Sequence, residues 1–258
     1  MHIELSATIQ STVDSIAGRL LRAQAERQRV PPLSEECRNL NLDLAYRIQD
    51  EALSQRIERG EHLVGITVRP GSPVAPLTAW LTDAMALCTG DSLPTDLLVH
   101  PGVEPSIAFV MGRRLSGPGI TCAAALAAVD LVFGSLEITD SRYADGLCTL
   151  PDRVADNLSS SHYLTGPVGI GPAGLNLPLE AACITVGERV TAPGVGAVTR
   201  GHPAEALAAA ANSLARRGHA IEAGWTVLVG TASSSLSLNQ GSAVTAQFTN
   251  LGSVTLAC

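Results

Sequence analysis

Apolar residues recur along the first sixty positions with the period of a helix. Ile9, Val13, Ile16 and Leu20 return at steps of four, three and four, which predicts an amphipathic helix over residues 5–30, closed by Pro31-Pro32. A second helix is predicted over residues 41–59, with Ala45, Ile48 and Ala52 on one face and Gly60 as its stop. From position 62 the pattern changes to short apolar runs separated by Gly, Pro, Asp and Asn: HLVGITV, PSIAFVMG, LVFGSLEI, AACITVG, WTVLVG and AVTAQF. Runs of this length predict strands of an antiparallel or mixed sheet system. Two helices interrupt them. One covers residues 120–130; the other follows His202-Pro203, with Leu207, Ala211 and Leu214 on one face and Gly218 after Arg216 and Arg217. The Gly/Pro-rich stretch 164–178 reads as a loop over a site. The expected fold class is α+β: an N-terminal helical region, 1–60, and a β-rich body, 61–258.

Composition narrows the function. With 46% hydrophobic and 16% charged residues, the 258-residue chain is not intrinsically disordered. Aromatic residues are only 3%, too few for stacking platforms along a nucleic acid, and a net charge of −7 opposes phosphate backbones and anionic membrane surfaces. All 17 basic residues are Arg. The lack of Lys excludes Schiff-base chemistry and a P-loop. No apolar run reaches the roughly 20 residues that span a bilayer. The opening MHIELSATIQ lacks the basic start and apolar core of a secretory signal, so a cytoplasmic location is expected. Six cysteines stand singly, without zinc-site spacing, and read as reduced thiols.

Three polar segments carry the candidate chemistry: residues 101–106, 136–142 and 154–160. Glu137 begins a polar run at the end of an apolar strand, a place where oxygen ligands for hard cations sit. Asp140 and Arg142 lie two apart and share a face of an extended chain, where they pair or grip a substrate carboxylate; the alternative is a buried ion pair that fixes a turn. His162 is a candidate acid/base group. His62 and His202 read more simply, the first on a strand face of its own and the second as a helix cap.

Taken in order, these segments resemble the 2-keto-4-pentenoate hydratase / 4-oxalocrotonate decarboxylase group of the fumarylacetoacetate hydrolase (FAH) superfamily. Ala45-Tyr46-Arg47-Ile48-Gln49 is similar to its Ala-Tyr-x-x-Gln helix, and Glu137-Ile138-Thr139-Asp140-Ser141-Arg142 with Ala155-Asp156-Asn157 and Ser159 to its central signatures. Gly201-His202-Pro203, Ala223-Gly224 and Leu251-Gly252-Ser253-Val254 resemble its C-terminal third. The resemblance implies an FAH-like mixed β-roll/β-sandwich body, a small 2-keto or 2-hydroxy-dienoate acid as substrate, Mg²⁺ or Mn²⁺, and a homo-oligomer.

Departures from the family pattern shape the expectation further. Its hydratases hold the metal with Glu-x-Glu and a later Glu; Glu104 and Glu137 match the first and third, but Ser106 stands at the second. Leu63 replaces the family's Lys, Leu77 its active-site Asp, and Trp225 an acidic residue after Ala-Gly. Glu137, Asp140, Arg142, Glu104 and His162 are therefore the expected catalytic set. Leu63, Leu77, Ser106, Ser159, Ser160 and Trp225 are expected to line a more apolar pocket. Glu104 and Glu137 hold a metal only if the family's site survives; otherwise no cofactor is expected. Without a metal, buried carboxylates need protonation or Arg and hydrogen-bond partners, and Arg142 is the expected partner. The first reading is a lyase, isomerase or cyclase repurposed to work without metal on a biosynthetic substrate, in bacterial secondary metabolism. The others are a metal-dependent 2-hydroxy-dienoate hydratase or 2-oxo acid decarboxylase, a noncatalytic partner of an active paralogue, and a small-molecule binding module.

Overall fold

The computed structural model describes residues 2–70, 75–93, 95–144, 148–186, 189–190, 194–195, 199–230, 235–238, 240–241 and 243–258. The first periodic segment forms α1 (His2–Ala25), shorter at its end than the pattern predicted, because Arg27 turns into the left-handed region (φ 54°) and Gln28 donates its N–H back to Ala23. A one-turn α2 (Leu33–Glu36) follows. In α3 (Leu42–Glu58) the Asn41 side chain accepts from the Leu44 N–H at 2.9 Å, and Gly60 (φ 98°) ends the helix. Val13, Ala17, Leu20, Ala45, Ile48 and Ala52 form one buried core with Leu77 and Ala79 of the sheet below.

The main sheet runs in the order β2-β1-β10-β4-β5-β6-β3. Its strands are β1 (Leu63–Arg69), β2 (Leu77–Thr82), β3 (Ala86–Leu87), β4 (Pro101–Met111), β5 (Val129–Asp140), β6 (Ser160–Thr165) and β10 (Thr226–Gly230). β1 pairs with β10, and β3 with β6, in parallel; the other neighbours along this path are antiparallel. A second, antiparallel sheet joins β7 (Ala181–Val186), β8 (Arg189–Val190), β9 (Gly194–Val195), β12 (Ala243–Phe248) and β13 (Ser253–Ala257), while β11 (Leu236–Ser237) adds to β4. β13 alternates exposed and buried residues, as a strand with one wet face should. β5 reads as a nearly continuous apolar run instead, being covered on both faces. Phe248 stacks over Gly134 of β5, where any side chain would collide with its ring.

The main sheet is strongly curled. The Thr67 hydroxyl of β1 donates to Glu137 of β5 at 2.9 Å. On a flat sheet those strands would stand three spacings, about 14 Å, apart. Side chains occupy the outer edge of β2: Asn157 exchanges two 2.9 Å bonds with the Trp80 backbone, Gln49 donates to the Thr78 carbonyl, and the Tyr46 hydroxyl accepts from the Thr78 N–H. Asn157, Leu158 and Ser159 all take left-handed φ (50–60°) to make this turn. The closed interior holds a small apolar cluster of Leu81, Met85, Ala108, Tyr163 and Leu228. The outer face packs on the second sheet and on α6 (Pro203–Arg216), whose N-cap is His202, accepting from the Ala204 N–H through Nδ1 at 2.9 Å.

Several expectations are corrected. The helix expected over 120–130 is only α4 (Cys122–Ala127), since the apolar residues from 129 belong to β5. The stretch 164–178 is no lid. It begins as the end of β6, then Ile170 exchanges backbone bonds with Val132, laying the chain along β5 away from the carboxylates. β2, β6, β13 and the short α5 (Leu150–Ala155) are elements the pattern did not predict.

Candidate active site

Register brings the two carboxylates together. Glu104 on β4 lies directly opposite Glu137 on β5, and Ser106 follows two residues along the same face of β4. Glu137 is completely buried. Its Oε2 accepts from the Thr67 hydroxyl at 2.9 Å and the Ser106 hydroxyl at 3.5 Å; its Oε1 accepts from the Ser160 hydroxyl at 3.1 Å. The charge is met by Arg69, at the end of β1. Its Nη1 bonds Glu104 Oε2, and its Nη2 lies 3.2 Å from Glu137 Oε1. Arg69 is 11% exposed and Glu104 16%, so the ion pairs are largely dry. The Nη1 bond to Glu104 is charge-assisted, a kind worth about 1.5–3 kcal/mol, whereas Nη2 meets Glu137 as an ion pair without a hydrogen bond. Arg69 reaches across β10 at Gly230, where a Cβ would stand 3.5 Å from Nη1 and 3.8 Å from Cδ, so a branched residue there would crowd the guanidinium.

Above the pair opens a cleft of about 260 Å³, lined among others by Arg69, Glu104, Thr139, Ser141, Arg153 and Ser159. Glu104 faces this space; Glu137 lies beneath it. Hydroxyl groups dominate the wall, in contrast to the apolar pocket expected from Leu63, Leu77 and Trp225. Leu63 stands at the far end of β1, six residues and about 20 Å from Arg69 along the strand. Trp225 precedes β10 at the end opposite Gly230, its carbonyl accepting from the Met111 N–H. Leu77 alone neighbours the site, opposite Arg69 in register, but packs toward the helices.

Asp140 and Arg142 do not pair. Asp140 Oδ1 accepts the Val99 and His100 N–H groups at 2.9 and 2.6 Å. Arg142 binds Asp156 instead, Nε to Oδ1 at 2.5 Å and Nη2 to the Asp156 carbonyl at 2.6 Å, so the expected partner of the two glutamates is corrected from Arg142 to Arg69. The Asp156–Arg142 pair fixes the turn that carries Asn157. Burial pushes the Asp156 carboxyl up to about 6, against the pull of Arg142. Between its ordinary 3.8 and about 6 the folded chain then holds a proton that the unfolded chain does not. This group's contribution to stability therefore falls as pH rises through that window and is level above it. Urea unfolding across the window is expected to show this slope in wild type, and to lose it in D156N.

His162 sits beside Tyr163, the residue opposite Glu137, and so belongs to the other face of β6. Its Nδ1 lies 2.8 Å from the Ser161 hydroxyl, and burial lowers its pKa. Ser160 meets Glu137, whereas Ser159 lines the cleft and donates to Asp156 at 3.5 Å. Thr67 and Arg69 are the functional residues the sequence reading missed. They alternate on one face of β1, a signal that an apolar run ended at Val68 cuts off by one residue.

A curled mixed sheet backed by an antiparallel one is the fold this chain shares with members of the FAH superfamily. A fumarylacetoacetate hydrolase from Exiguobacterium antarcticum shares it at a TM-score of 0.57 over 76% of this chain and 75% of that one, at 14% identity, a likeness of fold alone. A 4-oxalocrotonate decarboxylase from Pseudomonas putida, complexed with magnesium and adipate, superposes with a TM-score of 0.92 at 26% identity, covering 96% of this chain and 97% of that one. In sequence, a 4-oxalocrotonate decarboxylase of Pseudomonas sp. is 33% identical over 255 residues, 94% of this chain and 96% of the relative. A 2-keto-4-pentenoate hydratase of Paraburkholderia xenovorans is 32% identical over 249 residues, 93% of each. No protein-family model matches the chain. The chain belongs to the 2-keto-4-pentenoate hydratase / 4-oxalocrotonate decarboxylase family of the FAH superfamily.

The solved decarboxylase holds magnesium in one structure and calcium, with acetate, in another. The donor set of this chain does not fit such an ion. A hard dication of this kind is held by several oxygen ligands at about 2.0–2.6 Å, with anionic carboxylates among them. Here a guanidinium stands between the two carboxylates, and the neutral Ser106 follows them on the same face. Among the described residues there is no group of three or more His, Cys, Asp or Glu side chains that could hold a metal ion.

Proposed function

We propose that this chain is a lyase or isomerase of the hydratase/decarboxylase type that acts on a small carboxylic acid without a bound dication. The observation that carries the reading is the Glu104–Arg69–Glu137 arrangement beneath the hydroxyl-lined cleft. Glu104 is the group positioned to exchange a proton with a substrate in the cleft. Arg69 fixes its rotamer, and Glu137, locked by three hydroxyls, fixes Arg69 in turn. Such a positioned carboxyl contributes about 10²–10⁴-fold to a proton-transfer step. The cleft holds a small acid whose carboxylate is directed toward the rim Arg153 and the serine hydroxyls, since two carboxylates against one guanidinium leave the floor negative.

Curated relatives include 2-hydroxypent-2,4-dienoate and 2-hydroxyhexa-2,4-dienoate hydratases, so short 2-hydroxydienoates and 2-oxo acids are the substrates to try first. Those names lend no support to a biosynthetic setting. A homo-oligomer belongs to the same proposal and is read by light scattering. Among the described residues no helix is long and apolar enough to cross a membrane.

The magnesium of the solved decarboxylase favours a second reading, the metal-dependent hydratase or decarboxylase. One assay separates the two: loss of dienoate absorbance and release of CO₂, each with EDTA and with added Mg²⁺. Turnover unchanged by EDTA supports the metal-free reading; turnover that appears only with Mg²⁺ overturns it. No turnover on the whole panel favours a noncatalytic partner.

A further inference from the structure

The charge balance of the site points beyond catalysis. Two carboxylates face each other across β4 and β5, one of them fully buried, and the single cation between them is a side chain delivered from β1. Thr67, Ser106 and Ser160 supply hydrogen bonds but no charge. Taking Arg69 away would leave two negative groups in a largely dry interior, an arrangement that holds only if another cation enters or protons bind. The two carboxylates are hard oxygen donors on strands fixed by a continuous ladder, so the guanidinium between them and the neutral Ser106 beside them are what separate this donor set from one that suits a hard dication. Among the described residues Arg69 is the cation ion-paired to these two carboxylates, since Arg142 is spent on Asp156 and Arg153 stands at the rim of the cleft.

We propose that Arg69 is a built-in substitute for a bound dication, and that its removal uncovers a latent divalent-cation site on Glu104, Glu137 and position 106. The inference rests on the reading above only for the place of the site, not for turnover. It is tested on the full chain with Mn²⁺ alone, followed by EPR and by thermal melting. Wild type is expected to take up no stoichiometric Mn²⁺ at millimolar concentration, and its Tm is expected not to respond to the ion. R69S/S106E, which replaces the guanidinium by space and a third carboxylate, is expected to bind one Mn²⁺ per chain at micromolar concentration, a gain on the order of a thousandfold in Kd. Its Tm should rise with the ion.

Should R69S/S106E not fold, R69Q keeps most of the side-chain stem and is read by the same Mn²⁺-dependent shift in Tm. Stoichiometric micromolar binding by wild type would overturn the inference, because Arg69 would then yield to the metal rather than replace it. Folded variants that ignore Mn²⁺ would overturn it as well. Gain of binding in a chain that turns over no acid would keep this inference and sink the catalytic reading. Metal-free turnover with unresponsive variants would do the reverse.

Discussion

Arg69→Ala is expected to lower the stability of the chain by about 3 kcal/mol or more, the cost of leaving a buried charge without its partner. At roughly 2–4 °C per kcal/mol for a chain of this size, the melting temperature should fall by about 6–12 °C. The reason lies in Glu137, which is sealed from water and loses its one cation, while Glu104 loses the donor that orients it. The control is Arg19→Ala. Its pair with Glu36 is also a direct contact, at 2.6 Å, but both side chains are a third to a half exposed, and such pairs are worth about 0–1 kcal/mol. Equal losses for the two variants would mean that the Glu104–Arg69–Glu137 group is hydrated and structurally idle. Arg69→Lys should recover only part of the loss, because a point charge on a flexible stem does not offer the two separate donors of the fork.

Glu104→Gln is expected to cut turnover of the first active dienoate or 2-oxo acid by about 10²–10⁴-fold while leaving the melt nearly unchanged. The amide oxygen can still accept from Arg69, so the fold keeps its contact, but the group no longer takes or gives a proton. Glu137→Gln is a different experiment. That carboxylate accepts from three hydroxyls with Arg69 alongside, and an amide would set its NH₂ against those donors. Its effect should be seen first in the melt. Full activity in the folded E104Q protein would remove Glu104 from the chemistry.

Much of the frame was legible in the chain. The 3.6-residue stripe of Val13 and Leu20, the Gly60 stop and the His202 cap are local decisions, made by residues within a turn of each other. The strands β4, β5, β7, β10 and β12 showed themselves as apolar runs because both faces, or one of them, are buried. β2 was harder: the run Leu77–Thr82 is entirely buried yet too short to tell from a piece of helix, and it was read for its departure from a motif rather than for its period. β6 was hidden by Ser160, Ser161 and His162, polar residues that a buried strand tolerates because Ser160 bonds to Glu137 and Ser161 to His162.

The site was legible in part. Glu104, Glu137, Ser106 and Ser160 do converge, since register on neighbouring strands follows from short-range pairing. What the sequence does not display is the curl. Only the curl brings Arg69 and Thr67, at the end of β1, across β10 and β4 to a residue some seventy positions later. Proximity along the chain suggested Arg142 for the same reason that it misled: Asp156, fourteen residues on, was the nearer acid in space.

The treatment of β2 has one more consequence. Edge strands invite a second chain, because their outward N–H and C=O groups are ready to pair. On β2 the outward groups of Thr78 and Trp80 are already taken, by Tyr46 and Gln49 from α3 and by the amide of Asn157, which stands in for a neighbouring strand. A copy of this chain approaching that flank finds no free ladder to extend. Sheet-to-sheet growth, the usual route from a curled sheet to insoluble aggregate, is closed there by three side chains, and assembly has to use faces rather than this edge.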